Sequence, residues 1–269
     1  MAQAILAQGC EAIKLMDKTT LHAESDGVRP RTMHERRRVG SPAPGGSKEV
    51  GRPQPDGGGC KAAAGHKHRF WQEVFSAATM TLPSIYIACS SSEMAGRAAF
   101  PQGIWSIAVL TYAHCLASCM YHLEGAYRHW RRADHDHFAS PLRVLDFTLI
   151  HGCCAAYGFA LSGGDVSFNV VNCVLNLACV LLLHWKLLHR VPGSRADSLR
   201  VVGCIPVYAL PMLARGDVLR FVGLIASYVL SGFFWSRNEK WNGWGHGLFH
   251  VMLLPCSHFV VHSAAAVQA

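Results

Sequence analysis

At 269 residues, 51% hydrophobic and only 16% charged, the chain is long enough for one large domain or for a bundle of membrane helices. Its net charge of +8 is unevenly placed: 12 of the 25 Lys and Arg residues fall in residues 1–69, and from Phe70 onward apolar runs alternate with short polar gaps. The sequence has no Gly-rich phosphate loop, serine nucleophile elbow, basic-aromatic nucleic-acid surface or ion-selectivity filter, so nucleic acid is excluded as a partner.

Residues 1–69 read as a solvated, disordered basic tail. Arg29 to Gly59 is rich in Pro and Gly and contains Arg36-Arg37-Arg38, a composition that cannot bury a core. The apolar start, Ala2 to Leu6, is too short for a signal peptide, and the tail's seven acidic residues disfavour a transit peptide. A polybasic tail suits anionic headgroups, although a tail without a specific partner is the plainer reading.

A spanning helix needs about 20 mainly apolar residues. Seven candidates occupy 70–263: Trp71–Cys89, Gly103–Tyr121, Leu142–Leu161, Val166–Leu188, Leu199–Leu213, Val218–Trp235 and Trp241–Ser263. The fifth is short and carries Pro206 and Pro211, so six spans is the competing count. Residues 264–269 form a short C-terminal tail. The expected fold is all-α, a seven-transmembrane helix bundle behind a disordered tail.

Lys and Arg near the span ends set orientation. One face takes Lys61, Lys67, Arg69, Arg128, Arg131, Arg132, Arg143, Lys186, Arg190, Arg195, Arg200, Arg237 and Lys240. The other has Arg97, Arg215 and Arg220. This bias predicts a cytoplasmic N-terminus and an extracytoplasmic C-terminus. The membrane is expected to be that of the secretory pathway or the plasma membrane.

Threaded this way, Ser118 and His122 on span two, Asp146 on span three, and His246 and His250 on span seven share one membrane depth at the cytoplasmic side. Ionisable groups inside a membrane are costly and usually functional. His246 and His250 are spaced i, i+4, so both imidazoles project from one helical face and suit one tetrahedral ion. His122 supplies a third ligand and leaves an open position, the arrangement of catalytic zinc. Asp146 suits a proton acceptor or a partner that orients a ligand, and Ser118 suits an oxyanion donor.

Other residues receive plainer readings. His114, His258 and His262 are assigned structural or interfacial roles, against a rival reading in which the two histidine stripes bind haem. His151 does not share a face well with Asp146. Asp134-His-Asp-His137 reads as a solvated loop. Of the eleven cysteines, none forms a CxxC pair, and those in apolar runs, Cys179 and Cys204 among them, read as small buried side chains.

The order Ser118-Cys-Met-Tyr-His122, Arg-Val-Leu-Asp146-Phe and His246-Gly-Leu-Phe-His250 resembles the CREST superfamily of seven-helix membrane proteins. That superfamily includes alkaline ceramidases, progestin and adiponectin receptors and the transmembrane-8/myomaker group. Thr81-Leu-Pro-Ser-Ile, Tyr121-His122 and Leu145-Asp146 are most similar to the last group. The resemblance covers about residues 70–263. It implies a zinc-dependent lipid amidase or esterase, with His122, His246 and His250 on Zn2+ and a membrane lipid as substrate. The myomaker branch implies an alternative: a non-catalytic receptor or membrane-remodelling and fusion protein with a structural zinc.

Overall fold

The computed structural model describes residues 58–131, 140–191 and 195–267. The expectations for the tail up to residue 57 and for the Asp134–His137 loop lie outside these residues. Seven helices follow in order: α1 Gly58–Arg97, α2 Pro101–Trp130, α3 Pro141–Leu161, α4 Val166–Leu188, α5 Arg195–Ala214, α6 Val218–Ser236 and α7 Gly245–Ala265. A 3-10 turn, η1 (Asn238–Trp241), precedes α7. All seven contain windows long and apolar enough to cross a membrane. The fold is an all-α, seven-transmembrane helix bundle.

Helix ends differ from the expected span ends in instructive ways. The helix holding the first span runs from Gly58 to Arg97, well beyond Trp71–Cys89. Along its polar continuation Ser90 donates back to the Tyr86 carbonyl (2.8 Å) and Glu93 pairs with Arg97 one turn on (2.7 Å). The fifth helix is longer than Leu199–Leu213 despite Pro206 and Pro211. Prolines remove a backbone donor, but membrane helices tolerate them where neighbouring helices re-satisfy the backbone.

Packing orders the helices. α1 lies mainly against α2 and α7, α2 against α3, α3 against α4 and α5, and α6 against α7. α7 also reaches α2 and α3. The core joins Ile87, Ile104, Ile107, Leu161, Tyr208, Met212, Leu224 and Val260. Outward faces are apolar as well: Val170, Val174, Leu177 and Leu181 on α4 and Leu219, Val222 and Val229 on α6 are exposed. Water does not sustain such continuous apolar surface, whereas a bilayer does. Trp71, Trp130, Trp185, Trp235 and Trp241 ring the face at which α1 begins, called here the near face, as an aromatic belt would.

Polar clamps close the bundle at both ends. At the near face, the buried Asp197 carboxylate of α5 pairs with Lys186 of α4 and Arg200 (both 2.7 Å) and lies 3.9 Å from Arg143 of α3. At the far face, Arg215 donates to the Leu161 carbonyl and to the Ser263 carbonyl and hydroxyl, while the Ser263 hydroxyl donates to Asp217 (2.6 Å). Burial pulls the Arg215 pKa below its usual value, and Asp217 beside it opposes that shift.

Candidate metal centre

The near end of α7 is built by the turn before it. Asn242 and Gly243 have positive φ (49° and 86°), which reverses the chain after η1. The Asn238 side-chain oxygen then accepts the His246 backbone N–H (3.0 Å), satisfying a donor at the start of α7. His68 (2.9 Å) and Gln72 of α1 both donate to the Asn242 carbonyl, pinning the turn to α1.

These contacts fix the position of His246-Gly-Leu-Phe-His250. A Cβ on Gly247 would fall on the Phe75 ring, so only glycine lets α1 approach α7 this closely. The approach brings the Ser76 carbonyl to His250 Nδ1, which donates to it at 3.0 Å. On α2, His122 Nδ1 lies 2.7 Å from Glu73 Oε2. Gly125, one turn beyond His122, leaves room for that carboxylate: a Cβ there would sit 3.1 Å from Glu73 Cδ.

His122, His246 and His250 therefore converge. One nitrogen from each lies within 4.8 Å of the others, and the ring centroids are 4.8–5.2 Å apart. His122 and His250 are buried, and His246 is half-buried. A carbonyl and a carboxylate only accept hydrogen bonds, so both Nδ1 atoms carry their protons. The Nε2 lone pairs of His122 and His250 are what remains for a ligand. This donor set fits a metal: three imidazoles, two of them oriented through the opposite ring nitrogen by a carboxylate or a carbonyl.

A cavity of about 480 Å³ opens beside the cluster at the near face, with His68, Arg69, Gln72, Glu73, His122 and His246 in its wall. Ser118 is buried one turn before His122, on the same face of α2. Asp146 of α3 contacts His114 Nε2 at 3.1 Å, and His114 lies two turns before His122 on α2. Neither Ser118 nor Asp146 lines the cavity.

Glu73 is the residue that sequence reasoning missed. Its signal was available, because Glu73 is the one acidic residue within the Trp71–Cys89 run, where an ionisable group is expensive. A second group, His151, Cys179 and Cys204, also places one ligand atom each within 4.8 Å of the others, and all three residues are buried. No short-range spacing announces it, because each member comes from a different helix.

No family model, curated protein or solved structure matches the chain. The chain is a multi-pass membrane protein. Two of its His/Cys clusters are disposed to hold a metal.

Proposed function

We propose that this protein is a zinc-dependent membrane hydrolase that cleaves an amide or ester bond in a lipid, of the CREST type and similar to the transmembrane-8/myomaker group. The observation that carries this reading is the cluster of His122, His246 and His250, with two Nδ1 protons already committed to Glu73 and Ser76, beside a cavity open at the near face. The order of Ser118, His122, Asp146, His246 and His250 along the helices supports the family assignment.

Zinc held by the three histidines supplies Lewis-acid polarisation of a water and of the scissile carbonyl. Glu73 keeps the His122 ring oriented and raises its donor strength. Ser118 is assigned to donate a hydrogen bond to the developing oxyanion. Asp146, coupled to His114, is assigned to take up the proton, and Glu73 in the cavity wall competes for that role. The near face is assigned to the cytoplasm because Lys67, Arg69, Arg128, Arg143, Lys186, Arg190, Arg200, Arg237 and Lys240 lie there. The secretory pathway or plasma membrane is the assigned location, and the bilayer supplies the substrate.

One observation favours a second reading. Ser118 and Asp146 stand outside the cavity that reaches the histidines, as suits a receptor or fusion protein with a structural zinc. Ser118→Ala separates the two readings, since it lowers turnover in a hydrolase and is silent in a scaffold. The primary test is elemental analysis of the detergent-purified full chain beside His246→Ala/His250→Ala. The variant is expected to hold one zinc equivalent fewer than wild type, and equal zinc in the two proteins removes the ligand assignment.

A further inference from the structure

α4 exposes most of its surface and buries one narrow stripe: Asn172, Asn176, Cys179 and Leu183. Small residues are the usual means of close packing between membrane helices. Here the stripe instead offers two amides and a thiol, and their hydrogen bonds are directional. Asn172 Nδ2 donates to the Cys154 carbonyl of α3 (3.2 Å). Asn176 Nδ2 donates to the Asn172 carbonyl (2.9 Å) and to Asn172 Oδ1 (3.0 Å). That use of the amide nitrogen fixes which way Asn176 points. Its Oδ1 faces His151 Nδ1 at 2.9 Å and accepts the ring proton.

The consequence is a histidine with a set tautomer. His151 is 1% exposed, holds its proton on Nδ1, and keeps a lone pair on Nε2. Two thiols share its surroundings. Cys204 of α5 is 1% exposed with its sulfur 3.9 Å from His151 Nδ1, and Cys179 of α4 completes the group within 4.8 Å. Three adjacent helices each contribute one donor, and all three donors are buried.

We propose that His151, Cys179 and Cys204 form a second metal site, for a thiophilic d10 cation, Zn2+ or Cu+, which clips α3, α4 and α5 together. Thiolate sulfur selects these ions over hard cations. Binding releases one proton from each thiol. Two thiolates, a neutral imidazole and Zn2+ sum to zero charge, and with Cu+ the sum is −1; the neutral sum costs less inside a membrane. The clip serves a structural need, because α4 has little other buried surface and touches α5 only lightly. The site shares no residue with the three-histidine cluster.

The test uses the detergent-purified full chain, stripped of metal and titrated separately with Co2+, as a zinc substitute, and with Cu+ against a chromogenic Cu+ chelator. One equivalent of Co2+ is expected to give a thiolate-to-metal charge-transfer band, or one equivalent of Cu+ is expected to be withheld from the chelator; the arm that responds identifies the ion. The signal is expected to vanish in Cys179→Ser and Cys204→Ser and to persist in His246→Ala/His250→Ala. That pattern also separates this site from the proposed hydrolytic one. If the serine variants do not fold, site-resolved alkylation of wild type decides: metal is expected to slow modification of Cys179 and Cys204 but not of Cys153. Silence of folded wild type in both titrations, a signal that survives loss of both cysteines, or equal alkylation with and without metal overturns the proposal.

Discussion

Glu73→Ala tests the central geometry most directly. The carboxylate accepts the His122 Nδ1 proton at 2.7 Å, a charge-assisted bond that orients the ring and raises the basicity of Nε2. Loss of such a partner weakens metal affinity about 10- to 100-fold, or about 1.4–2.7 kcal/mol. The lower part of that range is expected here, because the Glu73 side chain is 18% exposed in a cavity wall and water can replace part of the bond. Glu73→Gln retains an acceptor oxygen without the charge and is expected to fall between wild type and Ala. The assay is zinc competition against a chromogenic chelator on the purified full chain, with Glu93→Ala, which removes only an exposed pair with Arg97, as the control. Zinc affinity in Glu73→Ala within twofold of wild type would refute the claim that this carboxylate positions His122.

Zinc and protons compete for the same imidazole lone pairs, so zinc retention is expected to fall as pH falls; equilibrium dialysis across an acid series checks the sign. Gly247→Val places bulk on the Phe75 ring, and overpacking of this kind costs about 1–3 kcal/mol, read as a lower Tm in detergent together with lost zinc. Asp197→Asn leaves Lys186 and Arg200 without their shared carboxylate at the near face. It is expected to destabilise on the order of 3 kcal/mol, discounted because Arg200 is about a third exposed, and thermal unfolding measures it. A glycosylation acceptor appended after Ala269 is expected to be modified in cells and one before Met1 is not; the reverse pattern inverts the proposed orientation.

The helices were legible in the sequence because membrane spans announce themselves by length and apolar content, which need no partner to read. The ends were less so. Ser90-Ser91-Ser92-Glu93 reads as polar punctuation, yet α1 continues through it, with the Ser90 hydroxyl returned to the Tyr86 carbonyl and Glu93 paired with Arg97. Pro206 and Pro211 made the fifth span doubtful for a reason that holds in water. Within a bundle the freed carbonyls can find other partners.

The candidate site divides along the same line between local and non-local information. The i, i+4 pair His246 and His250 is a property of one helix, and His122 joined it by counting spans of alternating direction. The other parts of the geometry come from helices packed side by side. α1 contributes no proposed ligand, yet it supplies the Glu73 carboxylate to His122, the Ser76 carbonyl to His250, and the donors that pin the turn before α7. Gly125 and Gly247 are the sequence trace of that packing, since both stand where a side chain would push α1 away. A histidine pattern marks where an ion would bind, but the pattern alone does not hold two rings in the Nδ1–H tautomer. In this bundle α1 does so, and a site assembled from α2 and α7 alone would lack that orientation.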